Sequence, residues 1–374
     1  MNLAPITILL GKNNTGKSAL LKIIPFLQSA LSEKSSQISG KEFNGVNICD
    51  EYKDLIYGKA LKAASFAFKD SNNDDLKFSF FVENFGGDEN TQVDTWELID
   101  GLGNKMKYNF SDSSDKEIPE ILGFQGVKPK FSYLNDDLWA SGILENFKVN
   151  FDYISAIRSI PPLDFRVSKK NSNFISGKGE EAYDILINSL RDDSLYATVA
   201  KWYRENFDNW ELFIDQSHAP VYHFLMRNKD LKVSLSESGT GVIQSLPIIV
   251  SAAYKRETTT VCVYEEPESH LHPAAHGALA EFIALQSTIQ SNKRFLIETH
   301  SFNFILRIRT LVAEGVLNPE DIAIYYVYFD DETQVSKIDS IGVDSKGNVS
   351  FWPQNVFNES LSEVLRLRKA QNQL

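Results

Sequence analysis

Residues 11–18 have the types and spacing of a loop that binds phosphate. Their sequence, GKNNTGKS, matches G-x-x-x-x-G-K-[S/T] at every fixed position. The two glycines let the backbone turn its N–H groups toward phosphate oxygens, and a following helix adds the favourable dipole of its N-terminus. The lysine would neutralise the β- and γ-phosphates of a nucleotide, and the serine would hold Mg²⁺. The residues predicted to bind ATP are Gly11, Asn13, Asn14, Thr15, Gly16, Lys17 and Ser18.

Two adjacent glutamates, Glu265 and Glu266, follow a strongly apolar stretch at residues 259–264. That stretch predicts a buried strand, and acidic side chains at the carboxyl end of such a strand lie beside the phosphate loop in α/β folds. Glu265 is placed to ligate Mg²⁺, directly or through water, and Glu266 to polarise the attacking water. A solvated acidic turn is the alternative, which the phosphate loop in the same chain disfavours.

A histidine, His300, follows the next predicted strand at residues 294–297. An imidazole at the tip of a strand beside the γ-phosphate can hydrogen-bond that phosphate and respond to its loss. A lone histidine after a strand is more often structural, but the order of phosphate loop, acidic pair and histidine favours the catalytic role. The neighbouring His270, His272 and His276 lack the H-E-x-x-H pattern of a metalloprotease, so we predict no zinc site there.

A second glycine-containing turn, at residues 236–241, precedes a helix-like run at 242–253 that Pro247 interrupts. The start of that helix would again favour an anion, although one nucleotide per chain needs only one such site. A head-to-tail homodimer accounts for both sites, because this turn in one chain would then reach the ATP of the other. Taken alone, the stretch fits an ordinary N-capped helix equally well. The residues predicted to reach the partner's ATP are Ser238, Gly239 and Gly241.

The hydrophobic pattern predicts the elements that must position these residues. Residues 6–10 form an apolar, β-branched run, which predicts a buried strand ending at the phosphate loop. Residues 19–31 predict the helix that follows the loop. The other predicted elements are antiparallel strands over 45–110, loops and short helices over 111–150, helices over 180–208 and 358–370, and hairpins over 210–235 and 324–341.

The composition indicates a globular cytoplasmic protein. Of the 374 residues 43% are hydrophobic, which is enough for a sizeable core, and no apolar run is long enough to span a membrane. A formal charge of −12 excludes a strongly basic protein that coats nucleic acid. The two cysteines, Cys49 and Cys262, lie far apart and predict reduced thiols rather than a disulfide framework.

Four stretches resemble, in order, the motifs of ABC-type ATPases. They are GKNNTGKS for the phosphate loop, SESGTGVIQSLPIIV for the signature, VYEEPESHLHP for the Walker B motif with its D-loop, and IETHSFNFILRI for the H-loop. These four motif sequences are most similar to those of the OLD/SMC/RecF-like AAA ATPases of bacteria. Residues 153–186 and 351–361 look like a bacterial ATPase family whose C-terminal part is a domain of unknown function. The resemblance spans nearly the whole chain.

The resemblance implies an α/β P-loop NTPase, with an ABC-type nucleotide-binding fold that carries an antiparallel β subdomain and a helical lobe. We expect a single composite ATPase domain over residues 1–374. Its expected parts are the β subdomain at 45–110, the helical and signature lobe at 160–256, the Walker B and H-loop core at 257–345, and the tail helix at 346–374.

The chain departs from the family pattern at several places. Glu265 stands where an aspartate is usual, and the signature is not LSGGQ. No Q-loop glutamine is recognisable, although Arg158 lies near the place where coupling between lobes is expected. The roles implied by the resemblance are phosphate and Mg²⁺ binding by Lys17 and Ser18, support of Mg²⁺ by Glu265, general-base catalysis by Glu266, γ-phosphate sensing by His300, and contact with the partner's ATP by Ser238, Gly239 and Gly241.

The resemblance further implies a dimerising ATP switch, the ATPase subunit of a bacterial anti-phage defence system that controls a separate effector such as a nuclease or toxin. No stretch sustains the heptads of a coiled-coil arm, and too few residues follow His300 for a Toprim nuclease domain. The Asp330-Asp331 pair is better explained by a hairpin than by a nuclease site.

The alternative function is that of a RecF-like repair ATPase, which would bind nucleic acid directly. The net acidity counts against it, and basic residues of this kind usually form a solvated face. A scaffold that binds nucleotide without hydrolysis is a third alternative, and Glu266 argues against it. The candidate DNA contacts are Arg166, Lys169, Lys170, Lys178, Arg307 and Arg309.

Overall fold

The computed structural model describes most of the chain and divides it into two compact units. The first unit comprises Met1, Leu3–Leu21 and Phe151–Leu374, and the second comprises Asn2 and Lys22–Asn150. The described residues are 1–32, 41–50, 64–70, 73, 75–84, 91–109, 121–132, 134–168, 174–191, 194–353, 356 and 359–371.

β-Strands occur in both units. In chain order they are β1 (Ile6–Leu10), β2 (Glu42–Phe43), β3 (Val46–Asn47), β4 (Ala64–Lys69), β5 (Lys77–Asn84), β6 (Thr91–Ile99), β7 (Lys105–Asn109), β8 (Ile121–Gln125), β9 (Lys128–Phe131), β10 (Asn150–Ile154), β11 (Glu211–His218), β12 (Val221–Asn228), β13 (Leu231–Ser234), β14 (Thr260–Glu265), β15 (Lys293–Glu298), β16 (Ile322–Asp330) and β17 (Val335–Ile341).

The α-helices also occur in both units. In chain order they are α1 (Lys17–Leu21), α2 (Ile23–Ala30), α3 (Leu134–Leu144), α4 (Glu181–Asn188), α5 (Ser194–Asn206), α6 (Thr240–Ala253), α7 (Pro273–Ile289), α8 (Phe302–Ala313) and α9 (Glu359–Gln371). Of these helices, α2 and α3 belong to the second unit and the others to the first. Short 3₁₀ turns occur at Glu145–Phe147, Ser189–Arg191, Leu235–Glu237 and Pro319–Asp321.

A six-stranded sheet, in the order β10-β14-β15-β1-β16-β17, organises the first unit. β1 pairs in parallel with β15 and β16, and β14 pairs in parallel with β15, whereas β17 is antiparallel to β16. All five residues of β1 are buried, as expected of an apolar strand covered on both faces. The parallel pairing brings the carboxyl ends of β1, β14 and β15 to one edge of the sheet. The predicted α/β P-loop architecture is confirmed.

Helices on the sheet complete the core of the first unit. α7 contributes Leu279 and Ile283, and α8 contributes Phe304 and Ile308, so each helix presents an apolar face at a spacing of four residues. α6 is buried along most of its length and continues through Pro247. The sequence predicted an interruption there, but packing around a buried helix offsets the one hydrogen bond that proline removes.

The second unit contains a four-stranded antiparallel sheet, β4-β5-β6-β7. Its buried face is aromatic: Phe66 stacks on Phe80 with ring centroids 5.1 Å apart, and Trp96 meets Phe78 edge to face at 6.0 Å. Such cross-strand aromatic pairs stabilise a sheet beyond the area that they bury. The antiparallel strands predicted over 45–110 are confirmed for the described residues, whereas 51–63, 71–72, 74 and 85–90 lie outside them.

Two of the predicted elements differ from those observed. The helix expected over 19–31 is divided at Lys22, three residues before Pro25, because a proline has no N–H to continue the hydrogen bonds of a helix. The stretch 111–150 contains the hairpin β8–β9, which its pattern concealed because Gly123 and Pro129 interrupt the alternation. Residues 110–120 and 133 lie outside the described part.

The remaining predictions of secondary structure are confirmed. The expected hairpin over 324–341 is β16–β17, and the stretch 210–235 forms the three-stranded sheet β11-β12-β13. α4 and α5 account for the helices over 180–208, and α9 for the terminal helix. Among the described residues, none of the helices has both the length and the apolarity that crossing a bilayer requires. The expected parts at 45–110, 160–256, 257–345 and 346–374 stay predictions.

Candidate nucleotide-binding site

The register of the parallel strands brings the distant motifs together. Leu9, two residues before the phosphate loop, is opposite Glu298 at the end of β15. Glu298 is in turn opposite Glu265 at the end of β14. The phosphate loop, the acidic pair and His300 therefore follow three neighbouring strands at the same edge of the sheet, which is where α/β folds bind ligands.

The phosphate loop is held in shape by its glycines and by its own lysine. Gly11 has φ 155° and Gly16 has φ 98°, a backbone region that favours glycine. A Cβ added at Gly11 would lie 2.1 Å from the carbonyl oxygen of Val327, so the neighbouring strand also excludes a side chain. The Lys17 Nζ donates to the carbonyl oxygens of Gly11 at 3.0 Å and Lys12 at 2.7 Å. The ammonium thus joins the two ends of the loop.

A carboxylate that the sequence reasoning missed, Glu298, faces this loop. Its Oε1 lies 3.4 Å from the Lys17 Nζ, and its Oε2 accepts a hydrogen bond of 3.3 Å from the Ser18 hydroxyl. Burial opposes ionisation, but the nearby His300 and the charge of Lys17 outweigh it and hold the pKa of Glu298 below its usual value. Its position directly after a predicted buried strand, two residues before His300, was the signal available in the sequence.

Glu265 has different partners from Glu298. Its Oε1 accepts a short hydrogen bond from the Tyr153 hydroxyl, and its Oε2 accepts one of 3.3 Å from the backbone N–H of Ala156. Burial and the charge of Glu265 both raise the pKa of Tyr153, which stays a neutral donor. The two oxygens of Glu265 are therefore engaged by the end of β10 and by the segment just after it, and its predicted role as a Mg²⁺ ligand stays a prediction.

Glu266 and His300 lie together at the open side of the site. The His300 Nε2 is 3.9 Å from the Glu266 Oε1 and 3.8 Å from the Glu298 Oε1. The Glu266 backbone has φ 41°, and its N–H donates to the carbonyl of Glu298 at 2.9 Å. The side chain of Glu266 is 41% exposed, so water can reach its carboxylate while its backbone is fixed.

Arg158 ties the Walker B segment to the helix that follows the signature. Its guanidinium donates to the carbonyl oxygens of Glu265 at 2.9 Å, Glu266 at 3.0 Å and Gln244 at 3.2 Å. The Gln244 amide completes the link, because it exchanges two hydrogen bonds with the Arg158 backbone. Burial lowers the pKa of Arg158 to about 10, which leaves it charged at neutral pH. Residues of β14 and α6 are therefore joined through one buried cation.

The backbone of His300 is positioned by a second buried side chain, Glu268. The Glu268 Oε1 accepts hydrogen bonds from the Thr299 hydroxyl at 2.7 Å and from the His300 N–H at 2.8 Å. Burial raises the pKa of Glu268, although these donors favour its charged form. The adjoining His276 contacts Ser301 at 2.7 Å and the carbonyl of Leu271 at 3.0 Å, which is a structural role.

The signature turn begins α6 without a side-chain cap. Gly239 occupies the N-cap position, and no side chain accepts a hydrogen bond from the first turn. Ser238 instead donates from its hydroxyl to the carbonyl of Ser234 at 3.0 Å. Neither serine nor glutamate caps this helix, although glycine is itself a common N-cap residue, so the alternative of an ordinary N-capped helix stays open. The assignment of Ser238, Gly239 and Gly241 to a partner's ATP stays a prediction.

With this geometry in place, comparison with known protein families is informative. A family described as "AAA domain, putative AbiEii toxin, Type IV TA system" matches residues 6–307, which contain every predicted site residue. The chain belongs to this AAA family. Residues 317–367 match a second family, described as a protein of unknown function (DUF3696). A search of curated proteins found no match.

Solved structures similar to this AAA chain include heads of SMC proteins. The SMC head bound to the C-winged helix domain of ScpA is 13% identical, with a TM-score of 0.44 and 91% of each chain covered. The SMC head domain from Thermotoga maritima is 10% identical, with a TM-score of 0.39 over 92% of this chain and 93% of the other. The Pyrococcus furiosus Smc head with an extended coiled coil, bound to the C-terminal domain of ScpA, is 12% identical, with a TM-score of 0.42 over 98% and 94%.

Some of the basic residues considered for DNA binding already have partners within the AAA chain. Arg307 pairs with Glu281, and Arg309 donates from its Nε to the carbonyl of Gly347 at 2.7 Å. Arg166 and Lys178 are exposed. Lys169 and Lys170 lie outside the described residues. No observation on the described residues therefore favours the RecF-like alternative.

Replacing Gly241 with alanine tests the close approach of the signature turn to the segment after Walker B. A Cβ at Gly241 would lie 2.4 Å from the carbonyl oxygen of His270, which is backbone and must shift. We expect a loss of about 1–3 kcal/mol in the free energy of unfolding, measured by urea denaturation. Gly277→Ala in α7 is the control, because its Cβ would meet Arg307 at an ordinary 3.6 Å. Equal stabilities of the two variants would contradict the contact.

Proposed function

We propose that this AAA chain is an ATP-hydrolysing switch that forms a head-to-tail homodimer and controls a separate effector. One observation carries the proposal: Lys17, Ser18, Glu266, Glu298 and His300 converge at one edge of the parallel sheet. Together they supply the cation, hydroxyl, carboxylates and imidazole that suit transfer of a phosphoryl group to water.

Nucleotide binding would use the phosphate loop and its lysine. Lys17 would exchange the carbonyl oxygens of Gly11 and Lys12 for phosphate oxygens. Its ammonium group would then neutralise phosphate charge without a large movement of the side chain. The site fits Mg²⁺, because the Ser18 hydroxyl lies beside the buried carboxylate of Glu298 and Mg²⁺ prefers such oxygen ligands. When bound, the ion would neutralise charge that develops on the phosphates.

Hydrolysis would use Glu266 as the general base. Its carboxylate is partly exposed and 3.9 Å from the His300 Nε2, so an attacking water could be held between them. Glu266 would accept the proton of that water, and His300 would donate a hydrogen bond to the γ-phosphate. Because the Glu266 N–H is hydrogen-bonded to the Glu298 carbonyl, the backbone from which the base extends is held in place.

Replacing Lys17 with methionine tests nucleotide binding. Methionine has a similar length but no charge, so the contact with phosphate is lost. We expect ATP affinity to fall by about tenfold to a hundredfold, which corresponds to the roughly 1.5–3 kcal/mol of a charged hydrogen bond. Calorimetric titration with ATP, together with an assay of phosphate release, measures the effect.

Lys22→Met is the control, because Lys22 is one turn beyond the loop and partly exposed. If wild-type protein released no phosphate from ATP, the proposal of hydrolysis would fail. If Lys17→Met bound ATP as tightly as wild type, the assigned role of the phosphate loop would fail.

The start of α6 supports the proposal of a homodimer. Its first N–H groups receive no side-chain cap, so they are suited to an anion supplied from outside the chain. Gly239 and Ser238 would present this turn to the ATP of a second copy, as a two-fold symmetric pair requires. Arg158 would transmit the contact, since it joins α6 to Glu265 and Glu266.

The proposed effector is a separate protein, a nuclease or toxin of anti-phage defence. The description of the matched family, which includes a putative toxin of a toxin–antitoxin system, supports this class of role. Asp330, once weighed as a nuclease carboxylate, accepts hydrogen bonds from Thr333 and Lys337 within the β16–β17 hairpin. We therefore expect purified protein with Mg²⁺ to leave plasmid DNA intact. Cleavage that Asp330→Asn abolishes would contradict a separate effector.

A further inference from the structure

The two carboxylates that end β14 and β15 have unlike surroundings, although they lie in register. Glu265 is held by Tyr153, which lies in β10, and by Ala156, which lies just after that strand. Glu298 is held by Lys17 and Ser18, which belong to the phosphate loop. Of the two, only Glu298 therefore contacts groups that would touch the phosphates and their cation.

The charge of Glu298 is balanced by Lys17 when the nucleotide is absent. The side chains of Lys17 and Glu298 are 3% and 8% exposed, and their charged atoms lie 3.4 Å apart. A buried carboxylate without a cation is costly, so this pair stabilises both groups. Phosphates that took up Lys17 would leave Glu298 beside several negative charges, and a second cation would then be needed.

Ligand atoms for such a cation converge on Glu298. One ligand atom from each of Glu266, Glu298 and His300 lies within 4.8 Å of the others. The Ser18 hydroxyl is 3.3 Å from the Glu298 Oε2, on the side of the phosphate loop.

We propose that Glu298, rather than Glu265, is the carboxylate that ligates the divalent cation, and that Lys17 balances its charge until ATP arrives. This rests on the proposed function, because the exchange needs a nucleotide. Glu265 then has a structural role: it fixes the end of β10 through Tyr153 and the segment after that strand through Ala156. Glu298 is both the counter-ion of the phosphate-loop lysine and the ligand of the cation that replaces it.

The test compares nucleotide affinity with and without a divalent cation. A non-hydrolysable ATP analogue is titrated calorimetrically into wild type, Glu298→Gln and Glu265→Gln, once with EDTA and once with Mg²⁺. We expect Mg²⁺ to tighten binding to wild type and Glu265→Gln by about 10–100-fold, and to leave the affinity of Glu298→Gln nearly unchanged. With EDTA, Glu298→Gln should bind at least as tightly as wild type, because Lys17 is released from its ion pair.

Binding of Mn²⁺ in the presence of the analogue, followed by electron paramagnetic resonance, gives a second readout. Wild type and Glu265→Gln should hold about one ion per bound nucleotide, and Glu298→Gln should hold its ion more weakly by the same factor. Glu298→Asp keeps the charge but is shorter, and it serves for the comparison if circular dichroism shows that the glutamine variant is unfolded. We expect it to lose most of the tightening.

A Mg²⁺ effect that persists in Glu298→Gln would overturn the inference, and its loss in Glu265→Gln would assign the ion to Glu265. Failure of the proposed function would give a different result: wild type itself would bind no ATP analogue, either with EDTA or with Mg²⁺.

Discussion

Replacing Glu266 with glutamine is expected to lower ATP turnover by about 10²–10⁴-fold while ATP still binds. Glutamine has the shape of glutamate but cannot accept a proton from the attacking water. The backbone should not change, because the N–H of Glu266 is anchored to the carbonyl of Glu298 and Arg158 holds its carbonyl oxygen. Phosphate release under saturating ATP measures the loss, and calorimetric titration measures the binding.

The control for this variant is Glu257→Gln, at the opposite end of β14. Glu257 is exposed and precedes the strand, whereas Glu266 follows it. We expect the control to hydrolyse ATP at the wild-type rate. Turnover within threefold of wild type in Glu266→Gln would show that another group activates the water, and the assignment of Glu266 as general base would be wrong.

Replacing Arg158 with methionine is expected to destabilise the first unit by roughly 2–4 kcal/mol, because buried carbonyl oxygens lose a charged donor. The carbonyls of Glu265, Glu266 and Gln244 are involved, and the exposed fraction of Arg158 is only 3%. Release of the buried charge offsets part of this loss. Urea denaturation followed by tryptophan fluorescence measures the change in the free energy of unfolding.

Two further variants show whether the effect comes from the shape of the buried guanidinium. One keeps the positive charge at position 158, and the other removes an arginine from the surface. Arg158→Lys keeps the charge but not the planar fork, so it should recover only part of the stability. Arg166→Met removes an exposed arginine nearby in sequence and should change stability by less than about 0.5 kcal/mol. If Arg158→Met were as stable as Arg166→Met, the buried link between β14 and α6 would be energetically unimportant.

The local parts of the site could be predicted from the sequence, because each is encoded by contiguous residues. The strand β1, the phosphate loop and the helix start after it follow from apolar periodicity and from two glycines at fixed spacing. The acidic pair and His300 were placed correctly at strand ends for the same reason. The β16–β17 hairpin was likewise predicted from alternation on both sides of a polar turn.

What depends on register between distant segments could not be predicted. That Glu298 faces Lys17 and Ser18 follows from the position of β15 between β1 and β14, and that Glu265 faces Tyr153 follows from the position of β14 beside β10. No local pattern encodes that strand order. Similarly, Arg158 was noticed only by resemblance. Its partners are backbone carbonyls from other elements, and every residue type has a backbone carbonyl, so the sequence does not indicate which ones bind an arginine.

The central claim, that ATP closes a homodimer, is tested most directly by the mass of the protein in solution. Light scattering is measured for wild type and Glu266→Gln without nucleotide, with ADP and with ATP, in each case with Mg²⁺. Removal of the base should trap ATP in the site. We therefore predict that the mass of Glu266→Gln doubles with ATP but not with ADP or without nucleotide, and that the mass of wild type doubles with ATP only transiently. A mass of Glu266→Gln that is the same in all three conditions would contradict ATP-driven dimerisation.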